Sequence, residues 1–260
     1  MPRVASICPI SSQADRVAVL VNPRAGPNAA PEMADRLLTL ARSRGFVAER
    51  FTDLAAATVW ANQCYAQGRL RALVGVGGDG TAAELINRTV EGVPLTLLPA
   101  GNSNLLARYF GLRNDPECVA RTISEGVFAR LDVGRANGRL FSLMAGCGFD
   151  AEVVRLVHER RTGHLRQGTY FGAALRAVAR YPFPEIRVHW EEESAAGESL
   201  SVRWLFAFNL PCYGGGFQIA PQSDGSDGWL DVCAFRRGRV WHRLRFVAAV
   251  LARQHQRLAD

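Results

Sequence analysis

Short apolar runs alternate with amphipathic stretches through the first half of the chain. Arg16 to Val21 reads as a strand, Glu32 to Arg44 as a helix with Met33, Leu37, Leu38 and Leu40 on its apolar side, and Phe46 to Phe51 as a second strand. The pattern repeats as a helix over Leu54 to Gln67, a buried strand over Arg71 to Val76, a helix over Thr81 to Glu91 and a strand over Leu95 to Leu98. Such alternation predicts a parallel sheet covered by helices. Past Phe128 the pattern changes. Phe128 to Arg135 and Arg139 to Ala145 flank Asn137-Gly138, a dipeptide that accepts the positive backbone angles of a tight hairpin turn. Helical stretches near Ala151 to Glu159 and Gly168 to Arg180 precede strand-like runs at Glu185 to Trp190 and Ser201 to Asn209. We therefore expect an α/β domain over residues 1–127 and a mainly antiparallel domain over residues 128–260.

Composition narrows the function classes. The 260 residues suffice for a substantial core. The longest uncharged stretch, Leu205 to Ser223, is broken by Asn209, Pro211 and Gly214 to Gly216, so it could not satisfy its own backbone as a membrane-spanning helix. Met1 to Ile10 carries Pro2 and Pro9 and no sustained apolar run, which makes a cytoplasmic location the expectation. The six cysteines are scattered singly and suggest neither a zinc site nor a disulfide framework. A net charge of +7 suits an anionic partner, and the chain has no lysine, which excludes a P-loop lysine and Schiff-base chemistry. Arg236, Arg237, Arg239, Arg243 and Arg245 form the densest basic cluster, and Glu191 to Glu193 an acidic run. The arginines are spread through both halves without a nucleic-acid-binding motif, so no nucleic acid is expected as a partner.

The chemistry concentrates where the parallel strands end, the edge at which open sheets bind ligands. Gly77-Gly78-Asp79-Gly80-Thr81 follows the most apolar strand and precedes a helix. Glycines there let the backbone approach a polyphosphate, while the helix start offers amides and the positive end of its dipole. Thr81 and Glu84 have the spacing of a capping box that would start the helix. Two more turns fall at equivalent ends, Asn22-Pro23-Arg24-Ala25-Gly26 and Pro99-Ala100-Gly101-Asn102-Ser103-Asn104. Asp79 is the carboxylate closest in sequence to such phosphates. It is a candidate base or metal-linked acid, the alternative being a carboxylate that only hydrogen-bonds turn amides.

These residues resemble the diacylglycerol kinase catalytic family of lipid kinases, which includes sphingosine and ceramide kinases and bacterial lipid kinases. Gly77 to Thr81 with Glu84 and Asn87 looks like its central motif, Asn22-Pro23 with Gly26 like its first, and Leu98 to Gly101 with Asn104, Ala107, Arg108 and Gly111 like its third. Gly146 to Ala151, Tyr213 to Gly216, Ile219 to Pro221 and Asp227 to Asp231 match further signatures in order. The resemblance implies an N-terminal α/β domain similar to phosphofructokinase and NAD kinase, followed by an antiparallel β-sandwich that receives a lipid. It implies transfer of the γ-phosphate of ATP to a lipid hydroxyl, diacylglycerol-like or sphingoid. By motif position Asn22, Thr52, Gly77, Gly78, Asp79, Gly80, Thr81 and Asn102 would contact ATP. Asp227, with carbonyls of Asp224 and Trp229, would correspond to a structural magnesium site of bacterial members. The implied partners are a lipid substrate and a peripheral membrane surface, and a homodimer stays open. Gly101-Asn102 departs from the family's usual Gly-Thr, replacing a hydroxyl by an amide. Beyond the segment matching Asp227 to Asp231 the family usually continues to an Asp-Gly-Glu motif for which the residues up to Asp260 offer no equivalent, so a nucleotide- or lipid-binding member with impaired transfer is the alternative expectation.

Overall fold

A computed structural model describes residues 7–22, 30–159, 181–189, 199–214 and 219–236. The chain forms two compact units, Met1–Ser142 with Gly225–Gly228, and Leu143–Asp224 with Trp229–Asp260. The predicted helix over Gly168 to Arg180, the acidic run at Glu191, Pro23 to Gly26, Gly215-Gly216 and the basic cluster beyond Arg236 lie outside the described residues.

The first unit contains, in chain order, β1 (Ile7–Pro9), β2 (Arg16–Val21), α1 (Ala30–Ser43), β3 (Val47–Phe51), α2 (Leu54–Ala66), β4 (Leu70–Gly77), α3 (Asp79–Ile86), β5 (Leu95–Pro99), α4 (Leu105–Tyr109), α5 (Pro116–Glu125), β6 (Val127–Ala129), β7 (Gly134–Ala136) and β8 (Arg139–Phe141). Its main sheet runs β3-β2-β4-β5 with every pair parallel. The chain moves from β2 outward to β3 and then crosses back to β4, so the order reverses between β2 and β4.

Alternation along β2 explains why both faces of this sheet are covered. Val17, Val19 and Val21 join Leu37 and Leu38 of α1 and Val119 and Ile123 of α5, while Ala18 and Leu20 join Ala57 and Ala61 of α2 and Leu85 of α3. Successive side chains of a strand point to opposite faces, and a strand buried on both reads as one apolar run. Asp53 starts α2 by accepting from the Ala56 amide at 2.7 Å. Asp115 does the same for α5, with Pro116 in its first turn and Gly126 at φ 64° beyond its end.

The central helix departs from expectation at both ends. α3 begins at Asp79, because the carbonyl of Gly78 accepts from the amides of Thr81 and Ala82 and so takes the capping position. Thr81 and Glu84 therefore form no capping box; Glu84 instead pairs with Arg139 and Arg88. The helix stops at Ile86 and does not run on to Glu91. The Asn87 amide folds back to the Ala83 carbonyl at 2.8 Å and also donates to Leu140, while its oxygen accepts from the Leu140 amide. That double bond to β8 fastens the β7–β8 hairpin, whose turn is Asn137-Gly138 with both residues at positive φ, as expected. Two helices, α4 and α5, lie where the hydrophobic pattern predicts none.

The second unit contains β9 (Met144–Cys147), α6 (Phe149–Glu159), β10 (Ile186–His189), β11 (Ser199–Val202), β12 (Trp204–Phe208) and β13 (Asp231–Phe235). All its pairings are antiparallel, in the order β13-β12-β9 and in the β10–β11 hairpin. Its core is aromatic: Phe149, Phe183, Trp204, Phe206 and Phe208 pack together. The expected strand over Ser201 to Asn209 is divided at Arg203, whose amide donates to Phe235 and whose guanidinium donates to the Phe183 carbonyl. No helix among the described residues is long and apolar enough to cross a membrane.

Candidate functional site

The carboxyl edge of the parallel sheet gathers the candidate residues of the first unit. Asn22 follows β2, Thr52 follows β3, Gly77 to Thr81 close β4 and open α3, and Gly101 to Asn104 follow β5. In an open sheet, ligands sit at this edge where the strand order reverses. Here that point lies between Asn22 and the Gly78 turn.

Side chains and backbone join the turns. The Asn22 amide donates to the Thr81 hydroxyl at 3.2 Å, and the Asn22 backbone amide reaches the Val76 carbonyl. Thr81 is only 4% exposed, so its hydroxyl serves the junction between Asn22 and the glycine turn. Its methyl lies over Gly75, where an added Cβ would come within 2.8 Å of Leu85 Cδ1. A glycine in mid-strand thus seats α3 close to β4.

The second and third turns meet backbone to backbone. A Cβ on Gly101 would stand 2.8 Å from Gly78 Cα, and one on Gly78 would stand 3.2 Å from Gly101 Cα. Asn104, left-handed at φ 48°, closes the third turn on itself, its oxygen accepting from the Gly101 amide and its amide donating to the Gly101 carbonyl. Asp79 then bridges the turns. Its Oδ2 accepts from the Leu105 amide at 3.0 Å and its Oδ1 from the Leu106 amide at 2.9 Å. Asn102 and Thr52 are exposed at the same edge.

Gly80 stands apart from its neighbours. It is exposed, lies within the first turn of α3, and an added Cβ would meet nothing within 4 Å. A helical glycine costs about 1 kcal/mol relative to alanine. Among the described residues nothing requires that cost, and bare backbone at a helix start is what a phosphate needs to approach closely.

The residues expected at a metal divide differently. Asp227 lies in the Gly225–Gly228 segment of the first unit, whereas Asp224 and Trp229 belong to the second. The segment is pinned by Asp132, whose amide donates to the Gly225 carbonyl at 2.7 Å and whose carboxylate accepts from the Gly228 amide at 2.8 Å. Asp132 belongs to no motif recognised in the sequence, and a lone acid between two short strands gives no signal of that partnership. Among the described residues no group of three or more His, Cys, Asp or Glu side chains could hold a metal ion.

In the second unit, the Tyr213 hydroxyl donates to Asp150 Oδ1 at 2.6 Å and so ties two of the signature segments together. Burial pushes the Asp150 carboxyl above its usual range, against the lowering effect of the tyrosine bond. Burial first, then the neighbouring carboxylate, pushes the Tyr213 phenol up as well, which fixes it as the donor. Gly146 makes room, since a Cβ there would stand 2.9 Å from Asp150 Oδ2. Asp150 opens α6, yet its carboxylate accepts from this phenol.

Comparison with known proteins places this geometry. The Diacylglycerol kinase catalytic domain family matches residues 16–136, and the YegS C-terminal NAD kinase beta sandwich-like domain matches residues 144–258. A diacylglycerol kinase of Mycobacterium tuberculosis is 30% identical over 257 residues, covering 94% of this chain and 81% of that protein. A diacylglycerol kinase of Bacillus subtilis is 28% identical over 188 residues, covering 70% of this chain and 61% of that protein. The crystal structure of a diacylglycerol kinase from Bacillus anthracis shares the fold, with a TM-score of 0.67 at 19% identity over 92% of this chain and 79% of that one. With both domain families matched in order and a relative covered over most of its length, the chain belongs to the diacylglycerol kinase catalytic family, an α/β domain followed by an antiparallel β-sandwich.

Proposed function

We propose that this protein is an ATP-dependent lipid kinase that transfers the γ-phosphoryl group of ATP to a lipid hydroxyl. The observation that carries this reading is the bare Gly80 at the start of α3, beside two interlocked turns and Asn22 at the point where the strand order reverses. In this reading the amides of the Gly78 and Gly101 turns hold the phosphates, while Asn22, Thr52 and Asn102 stand around them at the same edge. Relatives described as diacylglycerol kinases favour a lipid acceptor, whose oxygen attacks the γ-phosphorus as the bond to the β–γ bridging oxygen breaks. ADP leaves with that bond's electrons, and the hydroxyl proton is lost to the surroundings. Positioning and charge neutralisation supply most of such a rate enhancement.

Magnesium fits the proposal through oxygen ligands alone, as a hard cation requires. On the first unit, Asp227 would contribute its carboxylate. A magnesium ion bound with the nucleotide would offset phosphate charge, whereas one at Asp227 would be structural. A lipid acceptor also implies work at a membrane surface, for which the net charge of +7 is suited to anionic headgroups.

The test is release of ADP and formation of radiolabelled lipid from γ-labelled ATP with magnesium, against a panel of diacylglycerol and sphingoid hydroxyls. Labelled product with one class and none without lipid is expected. ATP binding without transfer to any member of the panel would overturn the kinase reading.

A further inference from the structure

We infer that Asp79 is a positioning residue whose carboxylate locks the third turn onto the second, so that both glycine turns present one phosphate-binding surface. The inference rests on the nucleotide site proposed above. α4 has only five residues and no cap of its own, because the side chain of Asn104, at its capping position, is spent on Gly101. Its first amides, Leu105 and Leu106, are satisfied instead by a carboxylate 26 and 27 residues earlier in the chain.

Both Asp79 oxygens are engaged at once, and hydrogen bonds to an ionised acceptor are the stronger kind. The contact they secure has little energy of its own. Gly78 and Gly101 meet through bare backbone, with no side chain on either to hold the other. Without the Asp79 bridge, the third turn is tied to the second mainly by the Ala100 amide at the Gly77 carbonyl. A general base must take up a proton, and protonating Asp79 would convert an accepting oxygen into a donor facing an amide. Such a step would loosen the phosphate surface at the moment of transfer. The geometry suits a carboxylate that keeps accepting through both oxygens.

Three variants separate positioning from proton abstraction. Asp79→Asn replaces one accepting oxygen by a donor, and Asn104→Gly and Gly101→Ala disturb the same junction without touching a carboxylate. Equilibrium ATP binding, measured without acceptor, should weaken about tenfold or more in all three, a loss of about 1.4 kcal/mol. At saturating ATP, Asp79→Asn should keep a kcat–pH profile of wild-type shape. Wild-type ATP affinity in Asp79→Asn together with a collapsed kcat and a lost acid limb would overturn the inference. If the wild type binds no ATP, the nucleotide site itself fails, and the junction is then read by hydrogen exchange. Asp79→Asn must accelerate exchange at the Leu105 and Leu106 amides, and unchanged exchange there would overturn it.

Discussion

Asn22 and Thr81, 59 residues apart, are joined by a 3.2 Å hydrogen bond that ties the end of β2 to the first turn of α3. Because the strand order reverses between these two strands, the bond spans the mouth of the proposed nucleotide site. Thr81→Val keeps the buried methyl over Gly75 and removes the acceptor from the Asn22 amide. It should cost about 1–2 kcal/mol in urea unfolding and weaken ATP binding, whereas Thr81→Ser should recover the affinity. Equal ATP affinity in the valine and serine variants would show that the junction does not shape the site.

Arg71 carries a different kind of structural load in the same strand as the glycine turn. It is buried, and its guanidinium donates to the carbonyls of Ile123 and Ser124 at 2.7 Å each, ending α5, with the Phe46 ring 5.5 Å away. A cation at a helix carboxyl end is favourable, and a planar fork reaches two carbonyls that an ammonium cannot. Arg71→Met should destabilise the protein by about 2–4 kcal/mol with an unchanged denaturant slope, and Arg71→Lys should recover less than half of that.

Sequence pattern made the parallel sheet legible because β2 and β4 are buried on both faces and so read as unbroken apolar runs. The Gly77 to Thr81 turn was legible for a similar reason, since its glycines and its place after a strand are local. The partners were not. Asp79 meets Leu105 and Leu106 only once β5 has been laid beside β4, and no spacing rule connects residues that far apart. α4 spans five residues and β6, β7 and β8 three each, too short to show a helical or strand period, which is why a single strand was expected over Phe128 to Arg135. α3 starts two residues before the expected Thr81 because glycine, too, is an accepted capping residue, and Gly78 outcompetes Thr81.

Asp150 should give the second unit a measurable dependence on pH. In the unfolded chain it titrates near the ordinary value of about 3.9. In the fold, burial raises it, so within that window the folded state binds more protons than the unfolded state. The contribution of this residue to stability is therefore full below the unfolded value and lost as pH rises through the folded one. Asp150→Asn can still accept from Tyr213 and removes the titration. The stability of wild type relative to this variant should decline as pH is raised from about 4 and then level off. Tyr213→Phe, which leaves the carboxylate without this donor, should cost about 1–3 kcal/mol at neutral pH. A wild-type-minus-Asn difference that stays flat from acid to neutral pH would mean that Asp150 titrates as it does in water.

Gly80 allows stability and binding to be pulled apart. An alanine Cβ at this position meets no atom within 4 Å, and glycine is the poorer helix former by about 1 kcal/mol. Gly80→Ala should therefore raise the melting temperature by a few degrees, since the unfolded chain also loses conformational freedom. The same methyl stands where the backbone would otherwise approach the phosphates, so ATP affinity should fall in the variant that is more stable. Calorimetric melting and ATP titration of one preparation decide the matter. A variant that is stabilised and binds ATP as wild type does would place the phosphates elsewhere on this edge, whereas a variant that is destabilised would mean that the space beside Gly80 is filled.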